Sequence, residues 1–179
     1  IVKTYNCPTR RPLILYNGGF HSDYAGNGGT NPTANPTGTS TAISENNPER
    51  KYAAESGISV LARATALALL MSESKSIAVA GTHGKTTTSS MLTVALQSTG
   101  ADPSFAIGGT ITASGSNAHR GTGEFFVAEA DESDGSFVAY HPFGAIITNI
   151  EHDHVDFFAS EAAVFEVFAD FIDTINKAG

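Results

Sequence analysis

The sequence predicts an α/β protein built on a P-loop-type, mostly parallel sheet with helices on both faces. Three observations carry that reading. Short apolar runs at 77–80, 124–128 and 144–150 alternate with helical patterns or long crossovers, as strands buried on both faces require. The first run stops at a glycine turn, Gly81-Thr82-His83-Gly84-Lys85-Thr86, and re-emerges as a helix. Polar and charged residues gather just past each run, at 81–86, 129–134 and 149–156, where the carboxyl ends of strands form the ligand crevice of an open α/β sheet.

The turn reads as a phosphate-binding loop. Gly81 and Gly84 let the backbone bend tightly and bring its N–H groups close to an anion. Lys85 adds a mobile positive charge, and Thr86 a hydroxyl suited to Mg²⁺. The usual pattern has four residues between its glycines, which would put the first at position 79, where Val79 stands. The loop is a shortened variant.

Composition narrows the function classes. Lys and Arg total ten against 18 Asp and Glu, for a formal charge of -8, so a general nucleic-acid binder is not expected. Hydrophobic content of 41% suits a globular chain. Cys7 is the only cysteine, which rules out an intrachain disulfide and makes a reducing cytoplasm the natural compartment. No apolar run approaches the ~20 residues that span a bilayer, and residues 1–20 lack the apolar core of a signal peptide, so no membrane partner is expected.

In chain order, residues 1–40 hold four of the seven prolines and read as an irregular, poorly ordered segment with one strand candidate at 13–16. Asn47-Pro48-Glu49 is a helix start and Gly57 its stop. A strand candidate follows at 58–61, then a helix over 62–73 whose Leu67, Leu70 and Met71 read as core. The helix after the loop spans about 85–98 and is ended by Gly100. Residues 107–123 read as loop with at most one short strand. Ser160 caps a last helix whose Val164, Phe165, Phe168, Phe171, Ile172 and Ile175 form a wide apolar face.

Glu129 stands at the end of an apolar run, followed by Asp131, Glu132 and Asp134. A carboxylate at the tip of a strand beside a phosphate loop is placed to help hold Mg²⁺, and Glu129 is the best candidate. His152 and His154, two apart and without a third His or a Cys nearby, form a weak zinc signature and equally suit a solvent-facing loop.

Taken together, Gly81-Thr82-His83-Gly84-Lys85-Thr86-Thr87-Thr88, Glu129-Ala130-Asp131-Glu132-Ser133-Asp134 and Thr148-Asn149-Ile150 with Asp153-His154 resemble the central ATPase domain of the Mur ligases, and most of all its alanine-adding members. The resemblance covers residues 40–179. It divides the chain into the irregular segment 1–40, a stretch 41–75 similar to the end of the family's first domain, and a partial ATP-binding domain over 76–179, with the sheet incomplete. What it implies is an ATP-dependent ligation in peptidoglycan and cell-wall synthesis. The carboxylate of UDP-N-acetylmuramate attacks the γ-phosphate, an acyl phosphate forms, and the amino group of L-alanine displaces phosphate.

By motif, the resemblance gives Lys85, Glu129 and His154 catalytic roles, with nucleotide contacts from Gly81, Thr82, His83, Gly84, Lys85, Thr86, Thr87 and Asn149. Thr86 and Glu129 would hold one Mg²⁺ and His154 would contact a second. Residues 1–39 do not match the glycine-rich motif of the family's first domain, and the third domain that closes over ATP is not in the sequence, so this chain alone is expected to be a very poor ligase. The alternatives are a module or inactive remnant that binds ATP without ligating, and a sister ligase that adds another amino acid or a peptide.

Overall fold

The structure is a computed structural model that describes residues 45–154 and 157–175, together with the backbone of four short strands: β1 (Leu15–Tyr16), β2 (Gly19–Phe20), β3 (Ala25–Gly26) and β4 (Thr37–Thr39). The expectation of poor order over 1–40 falls mostly on residues outside these. It allowed one strand there, whereas the backbone pairs four. Strands of two or three residues are too short for side-chain alternation to register in a sequence.

The chain divides into two units, residues 1–67 and 68–179. In the first, β1 and β2 pair antiparallel, and β4 lies between an antiparallel β3 and a parallel β5 (Val60–Ala62). Helix α1 (Pro48–Glu55) starts as its sequence directs: Asn47 Oδ1 accepts the Arg50 N–H at 3.3 Å, and Gly57 follows the helix in the left-handed region at φ 68°. Helix α2 (Arg63–Met71) runs across the boundary between the units. Leu67 and Met71 on it are buried, but Leu70 is 57% exposed, so the expected leucine stripe is core on only one line.

The second unit is a five-stranded sheet. Its strands are β6 (Lys75–Ala80), β7 (Ser104–Ile111), β8 (Ser116–His119), β9 (Phe125–Glu129) and β10 (Gly144–Ile147), arranged in the order β10-β6-β9-β7-β8. All neighbours are parallel except β7 and β8, which form an antiparallel hairpin. Residues 107–123 therefore hold strand where loop was expected. Gly108, Gly109, Gly115, Gly121 and Gly123 gave that stretch a turn-like composition, yet Gly108 and Gly109 continue β7.

After β6, helix α3 (Lys85–Ser98) carries the chain to β7, on one side of β6. The connection after β9 leads to β10, on the other side. That reversal makes the carboxyl ends of β6 and β9 the switch point, the place where open α/β sheets bind ligands.

Alternation along the strands fills both faces. Phe105, Ile107, Ile111 and Val127 form a buried cluster against Leu92 and Leu96 of α3, while Phe126 and Ala128, the neighbours of Val127 in β9, are buried on the opposite face. Ser89 and Thr93 are buried on α3 and return their hydroxyls to the helix's own carbonyls, Lys85 O and Ser89 O, at 2.8 Å.

Helix α4 (Glu161–Asp173) is capped by Ser160, whose Oγ accepts the Ala163 N–H at 3.3 Å. It packs on a short 3₁₀ turn, Ser136–Ala139, with the Phe137 ring 4.7 Å from Phe171 and 5.2 Å from Phe168. Val164, Phe168 and Phe171 are buried, while Phe165 and Ile172 remain 48% and 45% exposed. The wide apolar face is thus only half used, because the turn is narrow enough to cover one line of the helix. No helix among the described residues is long and apolar enough to cross a membrane.

Asp102 ties the start of β7 to the connection that leaves β8. Its carboxylate accepts the Thr122 N–H at 2.8 Å and the Thr122 hydroxyl at 3.1 Å, and lies 2.9 Å from His119 Nε2. The Thr122 backbone N–H, then His119 and the Thr122 hydroxyl, hold the Asp102 carboxyl below its ordinary range. A depressed folded value contributes stability that is complete above the unfolded value and lost as pH falls through the folded one. Asp102→Ala should therefore melt lower than the parent at neutral pH, with the gap closing under acid, on the low side of the usual carboxylate range. Thermal melts of both proteins across pH measure it; a gap that widens on acidification contradicts the assignment.

Candidate functional site

Strand β6 sets the site. Val79, where the longer loop pattern would have a glycine, is fully buried inside the strand and pairs with Ile146 of β10 and Glu129 of β9. The loop cannot begin before Gly81, which is the physical reason for its short spacing.

Gly81 takes φ 128°, and a Cβ there would collide with Thr148 Oγ1 and Asn149 O. Gly84, at φ 82°, precedes α3 and brings no side chain to cap it. The first N–H groups of α3 have no intrahelical acceptor, the arrangement that favours an anion at a helix start.

The loop is braced from β10. Thr82 N–H donates to Asn149 O at 3.1 Å, and His83 N–H to Asn149 Oδ1 at 2.8 Å. The buried Thr82 hydroxyl accepts the Glu151 N–H at 2.9 Å and lies 3.2 Å from Glu151 O, while the Thr148 hydroxyl donates to His83 O. Asn149 Nδ2 in turn holds Glu151 Oε1 at 2.9 Å. Asn149 thus spends both ends of its amide on the brace. Strand β10 stops at Ile147, shorter than the apolar run 144–150, and frees Thr148 and Asn149 for this work.

Two side-chain pairs lie beside the loop. Thr86 Oγ1 donates to Glu129 Oε1 at 2.9 Å, and Glu129 Oε2 accepts the Gly108 N–H at 2.7 Å. Glycine leaves room on this wall: a Cβ at Gly108 would come within 2.9 Å of the Glu129 carboxylate, and one at Gly109 within 2.7 Å of Thr86 Cγ2, so a larger residue at either position would push these side chains aside. A hydroxyl and a carboxylate side by side are hard oxygen donors, a set that fits Mg²⁺ completed by water and phosphate oxygens.

The second feature is an ion pair. Lys85 Nζ lies 3.0 Å from Glu132 Oε1 and 2.8 Å from Oε2, and donates to Gly81 O at 2.8 Å. The two side chains are 14% and 2% exposed. Glu132 Oε2, for all its proximity to Lys85, has no hydrogen-bond partner.

The structure thus brings Gly81, Thr82, His83, Gly84, Lys85, Thr86, Glu129 and Asn149 together at the carboxyl ends of β6, β9 and β10. Thr87 is in the first turn of α3 and exposed. His154 approaches Glu132, with Nε2 3.5 Å from Oε1. It is the one non-glycine residue with positive φ among those described, at 52°, and its backbone N–H donates to Asp153 Oδ1 at 2.7 Å. That bond, above all, holds the Asp153 carboxyl below its ordinary range.

The acidic run is split. Asp131 and Asp134 accept the Ser133 and Ser136 N–H groups as turn residues, and the described residues contain no group of three or more His, Cys, Asp or Glu suited to a metal. His152 Nε2 lies 3.2 Å from Phe158 O, away from His154's partner, so the pair does not form a zinc site. Sequence reasoning did not single out Glu132, Gly108, Gly109 or Glu151. Only Glu132 left a signal, an acid within the motif that follows β9.

Residues 79–179 match the family model of the Mur ligase middle domain, and residues 27–75 the model described as the Mur ligase family catalytic domain. This chain belongs to the Mur ligase family. It is 54% identical over 140 residues to the UDP-N-acetylmuramate–L-alanine ligase of a Nocardioides species, a match covering 78% of this chain and 31% of that protein. The enzyme of the same name from Nocardia farcinica is 55% identical over 148 residues, covering 83% and 29%.

Among solved structures, the UDP-N-acetylmuramate–alanine ligase of Thermotoga maritima superposes with a TM-score of 0.68 at 29% identity, covering 78% of this chain and 33% of that one. The Neisseria ligase named for UDP-N-acetylmuramate and L-alanyl-γ-D-glutamyl-meso-diaminopimelate gives 0.65 at 32% identity, covering 76% and 48%. This Mur ligase chain spans about 30% of the length of the curated relatives it matches.

Because the Lys85–Glu132 pair is buried, removing one partner strands the other. Lys85→Met should cost about 3 kcal/mol of folding stability, whereas Lys85→Met with Glu132→Met, which replaces both charges by apolar volume, should recover most of it. Urea denaturation of the three proteins compares them; a single variant as stable as the parent would contradict burial of the pair.

Proposed function

We propose that this chain is the nucleotide-binding part of an ATP-dependent ligase that joins L-alanine to UDP-N-acetylmuramate in peptidoglycan precursor synthesis, a reaction of the cytoplasm. One observation carries the reading: the glycine loop, Lys85 and the Thr86–Glu129 pair converge at the carboxyl ends of β6 and β9. Support comes from relatives of that name that are more than half identical to this chain.

In this reading the muramate carboxylate oxygen attacks the γ-phosphorus of ATP and ADP leaves, giving an acyl phosphate. The alanine nitrogen then attacks the acyl carbon, loses a proton and expels phosphate. The backbone N–H groups at the start of α3 receive the phosphates, and Lys85 steadies the β- and γ-phosphate oxygens. Thr86 and Glu129 would hold Mg²⁺, which supplies neutralisation of the charge gathering on the transferred group. His154 would contact a second metal ion, a role carried over from the resemblance. Asn149 acts on nucleotide indirectly, by fixing the loop at His83.

Phosphate release from ATP with UDP-N-acetylmuramate and L-alanine tests the ligation, and MgATP binding by the chain tests the site. If MgATP binds and neither substrate provokes phosphate release, the alternative of an ATP-binding module stands for this chain alone. Lys85→Ala, paired with Glu132→Gln so that no buried carboxylate is left unpartnered, should weaken MgATP binding about tenfold or more. Undiminished binding would remove Lys85 from the site.

A further inference from the structure

Glu132 is a buried carboxylate that the ligation scheme leaves unused. It is 1% exposed, and its nearest cation is the loop lysine itself. An ammonium has three N–H donors. Around Lys85 Nζ stand Gly81 O at 2.8 Å, Thr82 O at 3.4 Å and the Glu132 carboxylate at 2.8–3.0 Å, which is one acceptor group for each donor. A phosphate oxygen can take a bond from Lys85 only by displacing one of them. The two carbonyls belong to the loop and move with it. Glu132 belongs to a different segment, past β9, and is the only charged competitor of the three.

A displaced Glu132 would be buried without a cation unless another group met it. His154 Nε2 is already 3.5 Å from Oε1. Its backbone is held on both sides: His154 O accepts the Phe157 and Phe158 N–H groups at 2.8 and 2.9 Å, and His154 N–H donates to Asp153 Oδ1. Glu132 Oε2, lacking a hydrogen-bond partner, has acceptor capacity to spare when the carboxylate turns.

We propose that Glu132 is a latch on the phosphate loop. It holds Lys85 against the loop's carbonyls, yields it to the phosphates of an entering nucleotide, and passes to His154. The inference rests on the nucleotide-binding reading above and adds a positioning residue to it. Nucleotide then binds against the loss of an ion pair, and recapture of Lys85 by Glu132 speeds the departure of ADP. A residue with a merely structural role would lose both stability and affinity when its charge is removed. A latch gives the opposite sign in affinity.

The test is ADP binding by calorimetry at fixed Mg²⁺ and salt. Glu132→Gln keeps the shape and an acceptor for Lys85 while removing the competing charge, and should bind ADP about tenfold tighter than the parent, with slower ADP dissociation. In the Lys85→Ala/Glu132→Gln protein that gain should vanish. A crystal structure of the parent with ADP provides a check that needs no variant: Lys85 Nζ should lie beyond hydrogen-bond reach of Glu132, and His154 within it. Unchanged or weaker ADP binding by a folded Glu132→Gln protein overturns the latch alone, as does an ADP complex in which the Lys85–Glu132 pair is intact. A parent that binds no ADP overturns the nucleotide reading, and the latch falls with it.

Discussion

The site depends on a lysine and a glutamate paired in a buried place. Lys85 opens α3 and Glu132 lies past β9, so their pairing fastens the loop after one strand to the loop after its neighbour. Burial makes the pair consequential. Both charges have given up hydration, and each is worth more to the other than a surface pair would be, while either one alone is a liability. The Thr86–Glu129 hydrogen bond makes a second link between the start of α3 and the end of β9.

The arrangement is achieved largely by backbone. Gly81 lies so close to Thr148 and Asn149 that no side chain fits, and Gly108 and Gly109 flatten the wall of β7 against Glu129 and Thr86. The Thr82–Glu151 and His83–Asn149 bonds then stitch the loop to the end of β10. These contacts draw on strands β6, β7, β9 and β10, and this is why a single local motif is a poor description of the site. The loop's conformation is a property of the sheet's carboxyl edge.

Apolar surface in the second unit follows a related rule. Phe137 stacks on Phe171 and meets Phe168 edge to face because a 3₁₀ turn offers one narrow surface to α4, and Phe165 and Ile172, a residue away from that line, stay half exposed. Leu70 on α2 behaves in the same way. Helical spacing identifies which residues can share a face. How wide a face is covered depends on what lies opposite.

Much of this protein is legible in its sequence because the signals involved are local. The strand at β6, the glycine turn, the helix from Lys85 to Ser98 closed by Gly100, the Asn47 and Ser160 caps and the carboxylate ending β9 each follow from neighbours within a few residues, as capping and turn chemistry do. The tertiary structure alone decided that Gly108 and Gly109 continue a strand, that Glu132 is the carboxylate paired with Lys85, and that Asn149 and Glu151 brace the loop. These partners lie between 21 and 69 residues apart along the chain. No composition or period records such a distance. Which of several acids meets the lysine is settled by strand order and register, because in a parallel sheet the residues that share an edge come from segments that never neighbour one another in sequence.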